Sequence, residues 1–174
     1  MSMASFREDF LWQMDIISQV RALLGQQVWK ISDDTKDQKE ACDLILQAKD
    51  GTSVAVRLRR DGYKEKYRDE FTIRCQRSNG TKTELAKILE GYADWMFYGH
   101  TESGKIVSWM LIDLDAFRFI VRFKSYLLTH PDEERSGRKD NRDGRTSFLW
   151  FNAVELSRHH SRLIIARGRP RCGP

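Results

Sequence analysis

The chain has 174 residues, which is the length of one domain built around a single hydrophobic core. Hydrophobic residues make up 40% of it and charged residues 32%, a composition that excludes disorder along the whole chain. Its 30 Lys and Arg against 25 Asp and Glu give a net charge of +5. This balance favours phosphate-rich partners, because basic side chains release the counterions of phosphates.

The cysteines and the N-terminal segment indicate the compartment. Cys42, Cys75 and Cys172 are odd in number and lack CxxC spacing, so neither a disulfide framework nor structural zinc is expected. The sequence has no signal-peptide pattern and no run of the roughly 18 apolar residues that a membrane span requires. We therefore predict a soluble, cytoplasmic protein that does not enter a membrane.

The first half of the chain predicts a helix and then an antiparallel hairpin. Apolar residues recur at helical spacing over residues 6–24, and a short strand follows at 28–31. The apolar run at 41–47 and the alternating run at 53–59 indicate two strands, since a Lys-Asp-Gly-Thr turn signal separates them. Residues 70–76, rich in β-branched and aromatic side chains, predict the next strand.

Alternation within the second hairpin strand separates apolar from basic side chains. Val54, Val56 and Leu58 share one face, while Arg57 and Arg59 share the other. The two guanidinium groups are therefore predicted to point the same way.

A helix, two strands and another helix are predicted in the middle of the chain. The pattern Thr81-x-x-Glu84 matches a capping box that opens a helix. Residues 95–98 and 106–113 predict strands, and residues 114–128 are periodic enough for a helix.

The last third of the chain begins with a polar segment. Residues 130–146 hold almost only charged and small polar side chains, which predicts a flexible surface loop. Residues 147–166 predict a C-terminal aromatic strand and a helix, although residues 154–165 also fit a strand. Residues 167–174 form a basic tail with Gly and Pro.

This order of elements predicts one α/β or α+β domain over residues 1–174, with a mixed central sheet between helices in three layers. The early antiparallel hairpin argues against a doubly wound nucleotide-binding sheet, and the sequence has no glycine-rich phosphate loop.

The succession resembles the PD-(D/E)XK, or restriction-endonuclease-like, nuclease superfamily. The resemblance is carried by a helix, a hairpin with Asp43 on its first strand and a basic motif on its second, a third strand and a helix. It implies a nuclease-like core over residues 6–128. Residues 70–77 and 80–99, the latter ending in TKTELAKILEGYADWMFYG, are similar to small proteins of this fold from phages and mobile elements.

The resemblance also implies a metal site. In this superfamily an Asp on the first hairpin strand and an acid-x-Lys motif on the next hold a divalent ion that activates water. Asp43 matches the first position, but Arg57-Leu58-Arg59 stands where acid-x-Lys is expected. Some members carry the second acid on the following helix, which would make Asp43 and Glu84 the Mg²⁺ ligands, with Arg59 or Lys87 at the scissile phosphate.

Both acids also have structural interpretations. Asp43 could form an ion pair with Arg57 or Arg59 across the hairpin, because an unpaired carboxylate in an apolar strand is costly. Glu84 could act only as the acid of the capping box.

Several basic residues are candidates for phosphate binding, because guanidinium and ammonium groups suit phosphate oxygens. The strands at 53–59 and 70–76 are expected to be neighbours, so that their arginines could form a phosphate-binding stripe. The nucleic-acid-binding candidates are Arg57, Arg59, Arg74, Arg77, Lys82, Arg142 and Arg145. Further arginines within residues 135–145 and 158–171 would hold the phosphate backbone without reading sequence.

Three functions remain open at this point. The chain could be a Mg²⁺-dependent hydrolase, a DNA endonuclease or resolvase, and many proteins of this fold act as homodimers. It could be a catalytically inactive member that binds nucleic acid, expected to be DNA, or a nucleoprotein complex as an inhibitor or adaptor. It could also be a protein-binding module with a basic surface.

Overall fold

The computed structural model describes residues 3–24, 28–31, 44–46, 52–123, 136–141 and 144–168. Within these ranges there are four helices: α1 (Met3–Leu24), α2 (Glu84–Leu89), α3 (Leu114–Phe123) and α4 (Ala153–Ser157). The same ranges contain nine strands: β1 (Val28–Ile31), β2 (Leu44–Leu46), β3 (Ser53–Arg59), β4 (Glu70–Arg77), β5 (Trp95–Glu102), β6 (Lys105–Asp113), β7 (Ser136–Asp140), β8 (Thr146–Asn152) and β9 (Ile164–Gly168). None of these four helices is long and apolar enough to cross a membrane.

A mixed sheet of six strands forms the centre of the molecule, in the order β1-β2-β3-β5-β6-β9. The predicted hairpin is confirmed, since β2 and β3 are antiparallel with Leu44 opposite Val54. β5 then lies parallel to β3, which places Tyr98 beside Arg57. β6 and β9 continue the sheet as antiparallel strands.

The helix α1 covers one face of the central sheet. Ile16 and Val20 are buried there, in a core shared with β3, β5 and β6. Gln19 connects this helix by hydrogen bonds to the turn between β5 and β6 and to the start of β6. Its side-chain amide donates to the Gly104 carbonyl at 2.8 Å, and its side-chain oxygen accepts from the Ile106 N–H at 3.0 Å.

The opposite face carries the larger core, to which α2, α3, α4 and a second sheet contribute. Phe71, Phe117 and Phe151 meet in it, with ring centroids between 5.1 and 5.8 Å apart. The second sheet is antiparallel and has the order β4-β8-β7. The chain is therefore a mixed α and β protein, as its sequence predicts.

The position of β4 differs from the expected one. The sequence predicts that β3 and β4 are neighbours, yet β4 lies in the second sheet and pairs with β8, with Arg74 opposite Phe148. That prediction is wrong because β8 offers β4 apolar partners such as Leu149 and Phe151, which share its buried face.

The polar segment also differs from its prediction. A continuous loop over residues 130–146 is wrong for Ser136–Asp140, which form β7 along the edge of the second sheet. Further along, β9 includes Arg167 and Gly168, so the predicted basic tail begins as a strand. The other residues of that tail, 169–174, lie outside the described ranges.

The start of α2 is the third difference. The N-cap is Thr83, whose hydroxyl accepts from the Ala86 N–H at 3.2 Å. Thr81 instead donates its hydroxyl hydrogen to the Asn79 side chain at 2.7 Å. The predicted capping box is wrong because Glu84 is the first helical residue rather than the third, and its carboxylate turns to other partners.

Candidate functional site

Three guanidinium groups, two from the central sheet and one from the second sheet, converge on one aromatic ring. The Cζ atom of Arg57 lies 5.0 Å from the centroid of the Phe148 ring. The Cζ atoms of Arg59 and Arg74 each lie 5.4 Å from the same centroid. We call Arg57, Arg59 and Arg74 the arginine cluster.

Strand alternation explains how each side chain reaches this position. On β3, Val56 and Leu58 pack towards α1, so Arg57 and Arg59 point to the other face of the central sheet. On β4, Phe71 and Ile73 point into the larger core. Thr72 and Arg74 alternate with them and therefore lie on the other face of the second sheet. The pairing of β4 with β8 then places Arg74 beside Phe148.

Two hydroxyl groups fix the orientation of Arg59. Its Nε donates to the Tyr98 hydroxyl at 2.9 Å, and its Nη2 donates to the Thr72 hydroxyl. The two hydroxyl oxygens lie 3.3 Å apart. Tyr98 is 2% exposed, so one of the two hydroxyl partners of this guanidinium is anchored in the core.

Glu84 is the one carboxylate in hydrogen-bond or ion-pair contact with the arginine cluster among the described residues. Its Oε2 pairs with Arg57 Nη1 and accepts from the backbone N–H of Arg74 at 3.0 Å. Arg57 is 14% exposed and Glu84 is 17% exposed, so water screens this pair only weakly. One negative charge therefore faces three positive charges.

The excess positive charge is one of the causes that lower the pKa of Arg74. Burial lowers the pKa of Arg74, and the nearby charges of Arg57 and Arg77 lower it further, against the opposing effect of Glu84. The Nε atoms of Arg57, Arg74 and Arg77 are buried and have no hydrogen-bond partner among the described residues. Two arginines of the cluster, Arg57 and Arg74, thus have an Nε–H donor without a partner among the described residues, and the cluster carries more positive than negative charge.

No family model, curated protein or solved structure matches this chain. Among the described residues, the arginine cluster sets three guanidinium groups against a single carboxylate. Guanidinium groups bind phosphate oxygens through paired N–H donors, and they do so best where water is excluded. An anion with several oxygens is the ligand that this arrangement suits.

Some predicted phosphate-binding residues lie near the cluster and others do not. Arg77 is close enough to lower the pKa of Arg74, and its Nη1 donates to the Thr81 hydroxyl at 3.1 Å. Lys82 points away from the cluster, since it pairs with Glu90 at 2.5 Å.

The last two predicted phosphate-binding residues follow β7. Arg145 is exposed in the turn before β8, where its carbonyl accepts from the Ser78 N–H. Arg142 lies outside the described residues.

Two further arginines of the C-terminal third form ion pairs of their own. Arg158 pairs with Glu155 at 2.6 Å, and Arg167 pairs with Asp69 at 3.8 Å. Both arginines are about two-thirds exposed, with 70% and 67% of the side chain accessible. They belong to the surface around the site rather than to the cluster.

Of the two predicted magnesium ligands, only Glu84 lies within the described residues. Glu84 is engaged by Arg57 and by the Arg74 N–H, and the surrounding guanidinium groups repel a divalent cation. Within the described ranges, no group of three or more His, Cys, Asp or Glu side chains could hold a metal ion. Asp43 lies outside those ranges. Lys87, the other predicted catalytic residue, lies one turn beyond Glu84 on α2.

The sequence did not single out Thr72, Tyr98, Phe148 or His100 as site residues. Strand alternation could have linked Tyr98 and His100, because it places both side chains on the same face of β5 as Met96. Phe148 and Thr72 gave no signal, since their role depends on the pairing of β4 with β8.

His100 is a buried titratable group next to this site. It is 2% exposed and lies at the wall of a cavity of about 910 Å³. Its Nδ1 is 3.2 Å from the Ser108 hydroxyl, while its Nε2 has no hydrogen-bond partner among the described residues. Burial lowers the pKa of His100 below 6.5, and the charges of Arg59 and Lys64 lower it further. Both effects favour the neutral imidazole.

Proposed function

We propose that this chain is a nucleic-acid-binding protein and that the arginine cluster receives a backbone phosphate in front of Phe148. The observation that carries the proposal is the convergence of three guanidinium groups on one ring, against one carboxylate. The three positive charges around this ring repel each other, and a bound phosphate would reduce that repulsion.

A purely structural role for the cluster explains less. Glu84 can neutralise one guanidinium, and Tyr98 and Thr72 satisfy part of another. Nothing among the described residues neutralises the second and third charges, and burial makes each of them costly. Arg74 also gives up part of its preference for the charged state. Those costs are offset if an anion binds.

The layout of the chain is compatible with a restriction-endonuclease-like core, which we include in the proposal. Helix α1 precedes the antiparallel pair β2 and β3, and both β4 and α2 lie between β3 and the parallel strand β5 along the chain. The layout departs from such a core at β4, which lies in the second sheet. Helices lie on both faces of the mixed sheet. In such a core, the arginines of β3 occupy the strand that carries acid-x-Lys in active members.

Binding is favoured over cleavage. The strand that would supply an acidic metal ligand supplies Arg57 and Arg59 instead, and Glu84 is held by Arg57. We therefore propose that the chain acts on nucleic acid, with DNA as the expected partner, as a binder or adaptor. Metal-dependent cutting is the alternative that the experiment below separates from it.

The test is binding of fluorescein-labelled duplex and single-stranded DNA, followed by anisotropy over a salt series. Arg59→Gln and Arg74→Gln should each weaken binding about 10-fold and reduce the salt slope by about 1, as expected for a lost phosphate contact. Lys82→Gln, which removes one charge outside the cluster, serves as the matched control.

The same DNA is incubated with Mg²⁺ or EDTA to measure cleavage. Binding that depends on the cluster without cutting supports the proposal. Metal-dependent cutting that is lost in Asp43→Ala would establish the endonuclease instead. Binding that is insensitive to salt, or equally weakened by Lys82→Gln, would overturn a role for the cluster.

A further inference from the structure

Two tyrosines stack on the surface next to the arginine cluster. Tyr63 and Tyr67 lie in the segment between β3 and β4, with ring centroids 5.9 Å apart and an interplanar angle of 28°. The Tyr67 N–H donates to the Tyr63 carbonyl at 3.0 Å, which fixes the turn that brings the rings together. Tyr63 is 45% exposed, so part of this residue remains accessible to a ligand.

Two lysines surround the second tyrosine. Lys139 of β7 donates from Nζ to the Tyr67 hydroxyl at 3.0 Å, and the same Nζ lies 4.3 Å from the ring centroid. Lys66 Nζ lies 5.4 Å from that centroid. The hydrogen bond from Lys139 lowers the pKa of Tyr67. Both lysines are exposed, so their remaining N–H donors can reach a ligand.

The tyrosine pair is continuous with the arginine cluster. The Cζ atom of Arg59 lies 5.7 Å from the Tyr63 ring centroid and 5.4 Å from the Phe148 centroid. A path of aromatic and cationic groups thus runs from Lys139 and Tyr67, through Tyr63, to Arg59. We call Tyr63, Tyr67, Lys66 and Lys139 the tyrosine track.

We propose that the tyrosine track binds single-stranded nucleic acid, with a base stacked on Tyr63 and with Lys66 and Lys139 at the neighbouring phosphates. The inference rests on the proposed function, because the strand would continue into the arginine cluster. Aromatic platforms combined with a basic groove are the recognised means of holding unpaired strands. A base within a duplex is already stacked on both faces and has no free face for Tyr63.

A structural interpretation accounts for part of the track. Stacking of Tyr63 on Tyr67 stabilises the turn, and a surface lysine can lie over an aromatic ring at little cost. That interpretation does not require an exposed aromatic face beside a buried group of like charges. It predicts the same effect of substitution on every nucleic acid, whereas the proposal predicts a difference between single strands and duplexes.

The experiment compares three probes: oligothymidylate of about 15 nucleotides, an abasic strand with the same number of phosphates, and a duplex. The parent protein should bind oligothymidylate more tightly than the abasic strand. Tyr63→Leu should lower the affinity for oligothymidylate about 10-fold, bringing it to that of the abasic strand, and change duplex binding less than about 2-fold. Tyr63→Phe should retain the preference because it keeps the ring.

Phe119→Leu is the control, because Phe119 is 49% exposed on α3 and outside the track. Equal losses on single strand and duplex, or no loss with Tyr63→Leu, would overturn the inference.

The proposed function is tested separately by Arg59→Gln and Arg74→Gln on the same probes. If these variants weaken binding while Tyr63→Leu does not, only the tyrosine track is wrong. If the parent binds none of the probes, both proposals fail.

Discussion

Glu84, the first residue of α2, forms an ion pair with Arg57 in the second half of β3, and both side chains are more than four-fifths buried. The same carboxylate oxygen accepts from the Arg74 N–H of β4. Glu84 thus joins one helix and strands of two different sheets. It also reduces the positive charge of the site that these strands form.

The first prediction concerns stability. Glu84→Ala should lower the free energy of unfolding by about 2 kcal/mol, because it leaves Arg57 poorly solvated and the Arg74 N–H without its acceptor. Urea denaturation followed by circular dichroism measures the change. Glu90→Ala removes an exposed acid that pairs with Lys82, and should cost less than about 0.5 kcal/mol. Equal losses would contradict a special role for Glu84.

The second prediction concerns affinity. Glu84→Gln should bind DNA about 3- to 10-fold more tightly than the parent at low salt, because the cluster then lacks its negative charge. Anisotropy titrations at two salt concentrations measure this. Glu90→Gln changes the net charge equally and should show a smaller gain. If Glu84 is instead a metal ligand, Glu84→Gln abolishes Mg²⁺-dependent cutting.

The third prediction concerns pH. The pKa of His100 in the folded chain lies below its ordinary value of 6.5. The unfolded chain therefore binds more protons in the interval between the two values. The contribution of His100 to stability is complete above pH 6.5 and is lost as pH falls through the folded pKa. Unfolding free energies measured between pH 8 and pH 5 should fall by at most about 1.4 kcal/mol per pH unit from this group.

A His100→Asn variant isolates this contribution, since Asn does not titrate in this range and can still reach Ser108. Its stability should depend less on pH than that of the parent. His159→Asn, at an exposed position, should keep the parental dependence. An unchanged pH dependence in His100→Asn would show that other groups cause it.

The fourth prediction tests the edge strand β7. A Cβ atom at Gly137 would overlap the indole of Trp150 on β8, so Gly137→Ala should destabilise the fold by about 1–3 kcal/mol. Gly168 lies on the edge strand β9 and also faces a tryptophan, but its Cβ would be 3.1 Å from the nearest Trp109 atoms. Gly168→Ala should therefore cost less in thermal unfolding. A harmless Gly137→Ala would contradict the placement of β7 against β8.

Local patterns were sufficient where one element determines the outcome. The alternation over residues 53–59 predicted β3 and the shared face of Arg57 and Arg59, because side chains alternate along any extended strand. The turn signal before Ser53 likewise predicted the antiparallel pair of β2 and β3. Both features depend on residues that are close together in the chain.

Local patterns failed where backbone pairing rather than side-chain burial forms the element. β7 has the sequence Ser-Gly-Arg-Lys-Asp, which contains no apolar alternation and reads as a loop. It forms a strand because the backbone of β8 offers hydrogen bonds at the sheet edge. The Thr81-x-x-Glu84 pattern also failed, because Thr83 caps α2 and Glu84 contacts Arg57 on a distant strand, which the local pattern does not show.

The sequence by itself determined a basic, mixed α and β chain and the direction of the arginines on β3. Only the tertiary structure decided that β4 leaves the central sheet, pairs with β8 and brings Arg74 and Phe148 to Arg57 and Arg59. The physical reason is that pairing between distant strands depends on the sum of many weak packing contacts across the whole core. No short stretch of sequence encodes that sum.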